Sequence, residues 1–266
     1  MGVQDRAYMR GRGPPPIAFG TSWTLRFVVL IAAVFVLVNG AHTWAGQRWE
    51  RALLLSSDSI REGRVWTLVT AALLHVDAWH LAFNLLGLWY FGKLVEETIG
   101  GARYIVFFFA AAVFAFVPYV VASFAAGDAT PTLGASGIVM AMLAFAALRY
   151  PGMPWSFWGL PLVLWQLAAL YVAIDVFGLI SRDPGVNHWA HLGGAAFGWI
   201  IHRFGLVPNF RLPRRTAKAA RAPGPFAEGD TRTEIDRLLD KISTRGIGSL
   251  SQSEREFLKR NSGRYR

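Results

Sequence analysis

Six long apolar stretches follow one another through the first three quarters of the chain. Each is about long enough to cross the roughly 30 Å hydrocarbon core of a bilayer. They lie near Trp23–Trp44, Ala78–Ile99, Tyr104–Ala126, Leu133–Ala147, Phe157–Ile180 and His188–Phe204. In hydrocarbon every backbone amide and carbonyl must be bonded internally, which restricts spanning structures to helices and closed barrels. Stretches of this length predict an all-α polytopic membrane protein, a bundle of six transmembrane helices. Trp23, Trp44, Trp79, Tyr104, Tyr150 and Trp189 stand near the ends, as interfacial anchors do. The first stretch is long for the apolar core of a signal peptide and five more follow it, so it reads as a span.

The charge distribution agrees. The chain is 53% hydrophobic and only 17% charged, yet carries a net charge of +10. Residues 1–202 hold 12 basic and 10 acidic side chains; residues 203–266 hold 15 and 7. The body is near neutral and the excess belongs to the tail. So much apolar material excludes disorder for most of the chain. Cysteine is absent, which excludes disulfides, a thiol nucleophile and cysteine-based metal centres. An even number of spans puts both termini on one side. Arg6, Arg10, Arg12 and the basic tail place that side in the cytoplasm, with Lys93, Arg103 and Arg149 in the inner loops. The 45–77 loop opposes this with four arginines, but Glu50, Asp58, Glu62 and Asp77 offset them, and the loop reads as structured on the membrane surface.

The expected organisation is an N-terminal cytoplasmic segment 1–22, a membrane domain 23–206, a linker 207–230 and a helical tail 231–266. In the tail, Thr231-x-x-Glu234 has the form of a capping box, with Ile235, Leu238, Leu239 and Ile242 at helical spacing after it. Gly246 and Gly248 stop that helix, and Ser251-x-x-Glu254 starts another. So short a hairpin has too little core to be stable alone and must dock on something or stay marginal.

Polar residues inside spans are costly and are functional candidates by default. His80 and Asn84 are four apart and share a helix face, with His75 ahead of them; they serve either a site or a self-satisfied helix contact. Gly134-Ala135-Ser136-Gly137 opens the fourth span, where first-turn amides lack intrahelical acceptors and can bind an oxyanion. Small residues there also suit plain close packing. In the sixth span His191, Gly194 and Gly198 fall on one face, and the glycine pair lets a neighbouring helix approach. If that neighbour is the fourth span, His191 meets Ser136. Asp175 reads as interfacial, or as paired with a polar neighbour such as His188. These groups permit acyl transfer by a serine with a histidine base, and His80, Asn84 and the Ser136 amide can form an oxyanion hole. No acid is placed by the sequence to orient His191, so the reading is a Ser/His dyad.

In those motifs and their order the chain resembles the rhomboid family of intramembrane serine proteases over roughly residues 23–206. They are His75…His80…Asn84 with Gly92-x-x-x-Glu96-x-x-x-Gly100, then Gly134-Ala135-Ser136-Gly137, then Ala190-His191-x-x-Gly194-x-x-x-Gly198. The resemblance implies that Ser136 is the nucleophile and His191 its general base. It implies that His80 and Asn84 contribute to the oxyanion hole, with His75, Gly134, Gly194 and Gly198 in support. It implies cleavage in or near a substrate's transmembrane helix, with no metal and no cofactor, in the bilayer of a bacterial inner membrane. The tail resembles a helical appendage of some bacterial rhomboid-like proteins. Two departures stand out: Thr67 follows Trp66 where the family often has arginine, and Met140 stands where an aromatic usually stacks on the histidine.

Three other readings compete. A proteolytically dead relative would escort transmembrane helices, although such proteins typically lose the serine or the histidine. A metal site or transporter would draw on His75, His80, His188 and His191, but has no carboxylate in evident register. Nucleic-acid binding by the tail is disfavoured by its mixed charge, which suits anionic lipid headgroups better. The expected partners are therefore substrate transmembrane helices and lipid, with no nucleic acid.

Overall fold

A computed structural model of the chain describes residues 22–41, 52–157, 160–183, 185–206 and 228–261. It is helical almost throughout and divides into two compact units, Met1–Leu212 and Pro213–Arg266. The expected segment 1–22 and linker 207–230 lie largely outside the described residues.

All six expected helices are present in the first unit: α1 (Trp23–Ala41), α2 (Ala78–Ile99), α3 (Gly101–Ala126), α4 (Ser136–Arg149), α5 (Leu164–Ser181) and α6 (His188–Phe204). Among the described residues, α3 and α5 are each long and apolar enough to cross a membrane, and Thr67–Leu73 taken together with α2 passes as one bent pair. The others are shorter or carry the polar residues described below. Large apolar side chains cover the outside, including Leu37, Phe177, Ile180 and Phe204, as a lipid-facing surface requires.

Helix α4 sits at the centre, buried along most of its length, and glycines bring its neighbours in. A Cβ at Gly194 would strike the carbonyl of Gly137, and one at Gly198 the carbonyl of Ala141. The matched spacing means that α4 and α6 run in the same direction with backbones in contact. A Cβ on Gly87 of α2 would lie 2.6 Å from Val139 Cγ1, and one on Gly193 2.5 Å from the Ala115 carbonyl of α3. The start of α1 and the end of α2 are tied at one point: Glu96 accepts from the amides of Trp23 (2.8 Å) and Thr24 (3.1 Å) and from Thr24 Oγ1 (2.7 Å). These bonds satisfy first-turn amides that a helix leaves open.

Two expectations about elements of this unit are corrected. The fifth helix begins at Leu164, because Pro154–Phe157 and Leu160–Val163 form an antiparallel hairpin pairing Trp155 with Leu162. Pro161 in that segment disfavours a helix interior, having no amide to donate. Lys93 is not in a loop; it is buried within α2, 3.7 Å from Glu97. The segment before α2 is structured as expected, from Ser57–Arg61 and Thr67–Leu73, and the chain turns by 102° between Thr67–Leu73 and α2.

In the second unit, α7 (Glu228–Arg245) and α8 (Gln252–Asn261) form the tail hairpin. The expected start at Thr231 is corrected to Glu228. Gly246, at φ +75°, stops α7. Ser251 caps α8 reciprocally: its Oγ accepts from Glu254 N (3.3 Å) and its amide donates to Glu254 Oε2 (2.8 Å). Leu238 and Leu250 are buried in the hairpin.

Candidate active site

Ser136 is the first residue of α4, and the preceding glycine aims it. Gly134 has φ +117°, a left-handed conformation that side chains disfavour. Its amide donates to Ala71 O (2.9 Å), and Leu55 pairs with Thr132 just before it (2.8 and 3.3 Å). Those bonds fix the approach to the helix. The first α4 amide to reach back to a helix-end carbonyl is Val139, to Ala135 O (3.0 Å). The amides of Ser136, Gly137 and Ile138 precede it and are available to an anion at this end.

His80 lies over Gly134. A Cβ at Gly134 would stand 2.8 Å from His80 Cε1, 2.9 Å from His80 Nε2 and 3.9 Å from Ser136 Oγ. The imidazole, the glycine and the serine hydroxyl thus meet at one point. His75 is buried edge-on to His80, with ring centroids 4.9 Å apart, which fits a bracing part. Asp77 caps α2 by accepting from Trp79 N (2.8 Å) and His80 N (2.9 Å). Those amides hold its carboxyl below the ordinary carboxylate range, His80's having the larger effect. Asn84 is buried, and its Nδ2 donates to His80 O at 3.0 Å.

His191 stands one turn before Gly194, which lies against Gly137, so it is carried to the Ser136 end of α4. The Ala190 carbonyl lies beside Gly137 as well. Among the described residues no hydrogen bond joins His191 to Ser136. Hydrogen bonds between a nucleophile and its base often tighten only when substrate binds. Met140, one turn after Ser136, is buried in the core. Thr67 is buried too, bonding Arg64 O (2.7 Å) and Ser59 Oγ (3.1 Å), and so anchors the segment where the family often has arginine.

Two contacts at this end of the bundle were not legible in the sequence. Asp175 is not interfacial but 2% exposed. It pairs with His188 as expected, and its Oδ1 also lies 2.8 Å from His191 Nδ1. An acid is therefore placed on His191, which corrects the expectation that none is. The available signal was that Asp175 is the only charged residue of α5, with Gly178 one turn later on its face. Asn187 caps α6 by accepting from Ala190 N (3.0 Å) and ties it to Thr132 Oγ1 (2.8 Å). The donors of Asp175, His188 and His191 all lie within 4.8 Å of one another. That supplies the carboxylate a metal reading lacked, although the two 2.8 Å N···O separations are those of hydrogen bonds.

The family model for the Rhomboid domain matches residues 62–207, and that of a family of unknown function (DUF6576) matches residues 229–264. The Presenilin-associated rhomboid-like protein A, mitochondrial, of Danio rerio is 31% identical over 166 residues, covering 59% of this chain and 43% of its own. RHOMBOID-like protein 12, mitochondrial, of Arabidopsis thaliana is 27% identical over 187 residues, covering 65% and 55%. Rhomboid protease GlpG of Pectobacterium atrosepticum is 28% identical over 180 residues, covering 67% and 60%. The chain spans about half the length of these curated relatives.

Proposed function

Since the chain belongs to the rhomboid family, we propose that it is an intramembrane serine endopeptidase acting on the transmembrane segments of membrane proteins. The observation that carries this is the meeting of His80, Gly134 and Ser136 at an open helix N-terminus, with His191 brought there by glycine contact.

Ser136 Oγ attacks the scissile carbonyl carbon while its proton passes to His191 Nε2. The oxyanion that forms is met by the Ser136 amide, His80 and Asn84. Asn84 has two amide hydrogens and one is engaged with His80 O, so the second serves the oxyanion. Each such donor is typically worth about 10²–10³ in rate. Collapse breaks the C–N bond, and the leaving amine takes the proton from His191. Water then attacks the acyl-enzyme, giving its proton to His191; collapse breaks the bond from the acyl carbon to Ser136 Oγ, which takes that proton back from His191, and the product carboxylic acid leaves and ionises.

The test is cleavage of a transmembrane reporter by full-length protein in liposomes. Ser136→Ala and His191→Ala each abolish it while the protein stays folded; wild-type cleavage by Ser136→Ala ends the reading. A fluorophosphonate that labels wild type and not Ser136→Ala separates a protease from a dead helix-binding relative.

Both termini are assigned to the cytoplasmic side on the charge distribution. The basic tail lies on anionic lipid, at roughly 1 kcal/mol per basic residue near the surface. Equal binding of the full-length protein's exposed tail to neutral and anionic vesicles removes the lipid assignment.

A further inference from the structure

Asp175 gives one oxygen to two histidines. Its Oδ1 is 2.8 Å from Nδ1 of His191 and 2.8 Å from Nδ1 of His188. An ionised carboxylate only accepts, so each Nδ1 carries a hydrogen. For neutral His191 that leaves Nε2 as the unprotonated nitrogen, the one able to take a proton from a serine. The surroundings build this arrangement. Gly178, three residues after Asp175, leaves room for the His188 ring, which a Cβ there would strike. Asn187 fixes the start of α6, from which both histidines project.

We propose that Asp175 is the positioning residue of the active site: it sets the His191 tautomer and ring orientation and stabilises the imidazolium formed when Ser136 gives up its proton. His188 shares the same oxygen and moderates that stabilisation. The proposal rests on the reading of Ser136 as nucleophile and His191 as base. It turns a dyad into an acid–base–nucleophile array in which the acid comes from a neighbouring span.

A buried carboxylate that merely fastened α5 to α6 would need only His188. The bond to His191 goes further, because it acts on the base itself. Among the described residues, few charged or titratable groups bear on this array. His188 lies on the same helix, and Asp183 is 3.8 Å from His188 Nε2 in the α5–α6 connection. Tyr171 precedes Asp175 by one turn of α5 and interacts with it. From α2 comes His80, itself against His75.

The experiment measures kcat and KM for the transmembrane reporter across pH with the full-length protein in liposomes. Asp175→Asn is expected to lower kcat about a hundredfold or more with little change in KM. It also moves the acid limb of the activity profile to lower pH, since the imidazolium loses its counter-charge. His188→Leu moves that limb the other way, because Asp175 then serves His191 alone. A wild-type rate in Asp175→Asn overturns the proposal. So does a loss of rate with both acid limbs unmoved, which marks a fastening role. If Asp175→Asn does not fold, an unmoved or oppositely moved limb in His188→Leu overturns it. Ser136→Ala is measured alongside: cleavage there at the wild-type rate refutes the protease reading itself, whatever Asp175 does.

Discussion

Asn187 Nδ2 lies 2.8 Å from Thr132 Oγ1, joining the first turn of α6 to the strand-like segment that leads into α4. The same side chain caps α6 through Ala190 N at 3.0 Å. One residue therefore sets both the start of the helix bearing His191 and its distance from the segment that leads into Ser136. Asn187→Ala is expected to cost about 1 kcal/mol in capping and to lower kcat more than stability alone explains. Thr132→Val removes only the cross-link. It should keep the melting temperature near wild type and still lower kcat several-fold; unchanged kcat in Thr132→Val shows that the strap has no catalytic consequence.

The contact between α4 and α6 leaves no room for a methyl group. At Gly194 and Gly198 the obstacle is backbone, the carbonyls of Gly137 and Ala141, so side-chain adjustment cannot relieve it. Gly194→Ala and Gly198→Ala are each expected to destabilise the bundle by about 1–3 kcal/mol and to separate His191 from Ser136. Gly152→Ala meets nothing within 4 Å and should be neutral in both stability and cleavage. Thermal unfolding in detergent, read beside reporter cleavage, checks all three.

Much of this arrangement is legible in the residues themselves. The six helices follow from apolar length, and the approach of α6 to α4 follows from Gly194 and Gly198 on the face of His191. What is not legible depends on rotation and on pairing across distance. Asp175 and His191 are sixteen residues apart on different helices, and no local spacing ties them. The Pro154–Val163 hairpin escapes an apolar-run reading because its residues are as apolar as those of a span. The tie from Asn187 to Thr132 bridges 55 positions and is visible only once both helix starts are in place.

Gly134 combines two constraints, a φ of +117° and the His80 ring. Gly134→Ala is strained in its backbone and drives a Cβ to within 2.9 Å of His80 Nε2. It is expected to reduce cleavage by at least about 10², the scale of losing one oxyanion donor. Fluorophosphonate labelling of Ser136 should fall in parallel, because the same displacement misplaces the hydroxyl. Full labelling with lost cleavage places the defect in substrate binding instead.

In the tail hairpin, Glu254 accepts from Ser251 N (2.8 Å) and takes both Nζ contacts of Lys241 (2.9 Å each). The Ser251 amide and then the Lys241 ammonium pull its carboxyl down to about 2. A carboxyl held below its unfolded value, near 4.3, stabilises the folded hairpin above that value and loses its effect as the pH falls toward 2. Amide exchange over residues 251–261 of the full-length protein, corrected for the intrinsic rate, should stay protected from neutral pH to about 4 and lose protection below it. Glu254→Gln weakens that pH dependence, leaving the part owed to Glu234, which Arg237 also holds below the ordinary carboxylate range, and lowers protection at neutral pH, since the glutamine is no counter-charge for Lys241. Arg237, 3.2 Å from Glu254 and bonded to Glu234 as well, gives an internal control. Arg237→Gln leaves the Ser251 and Lys241 contacts intact and should change protection less than Glu254→Gln does; an equal or larger loss would place the hairpin's stability in the Arg237 pairs instead.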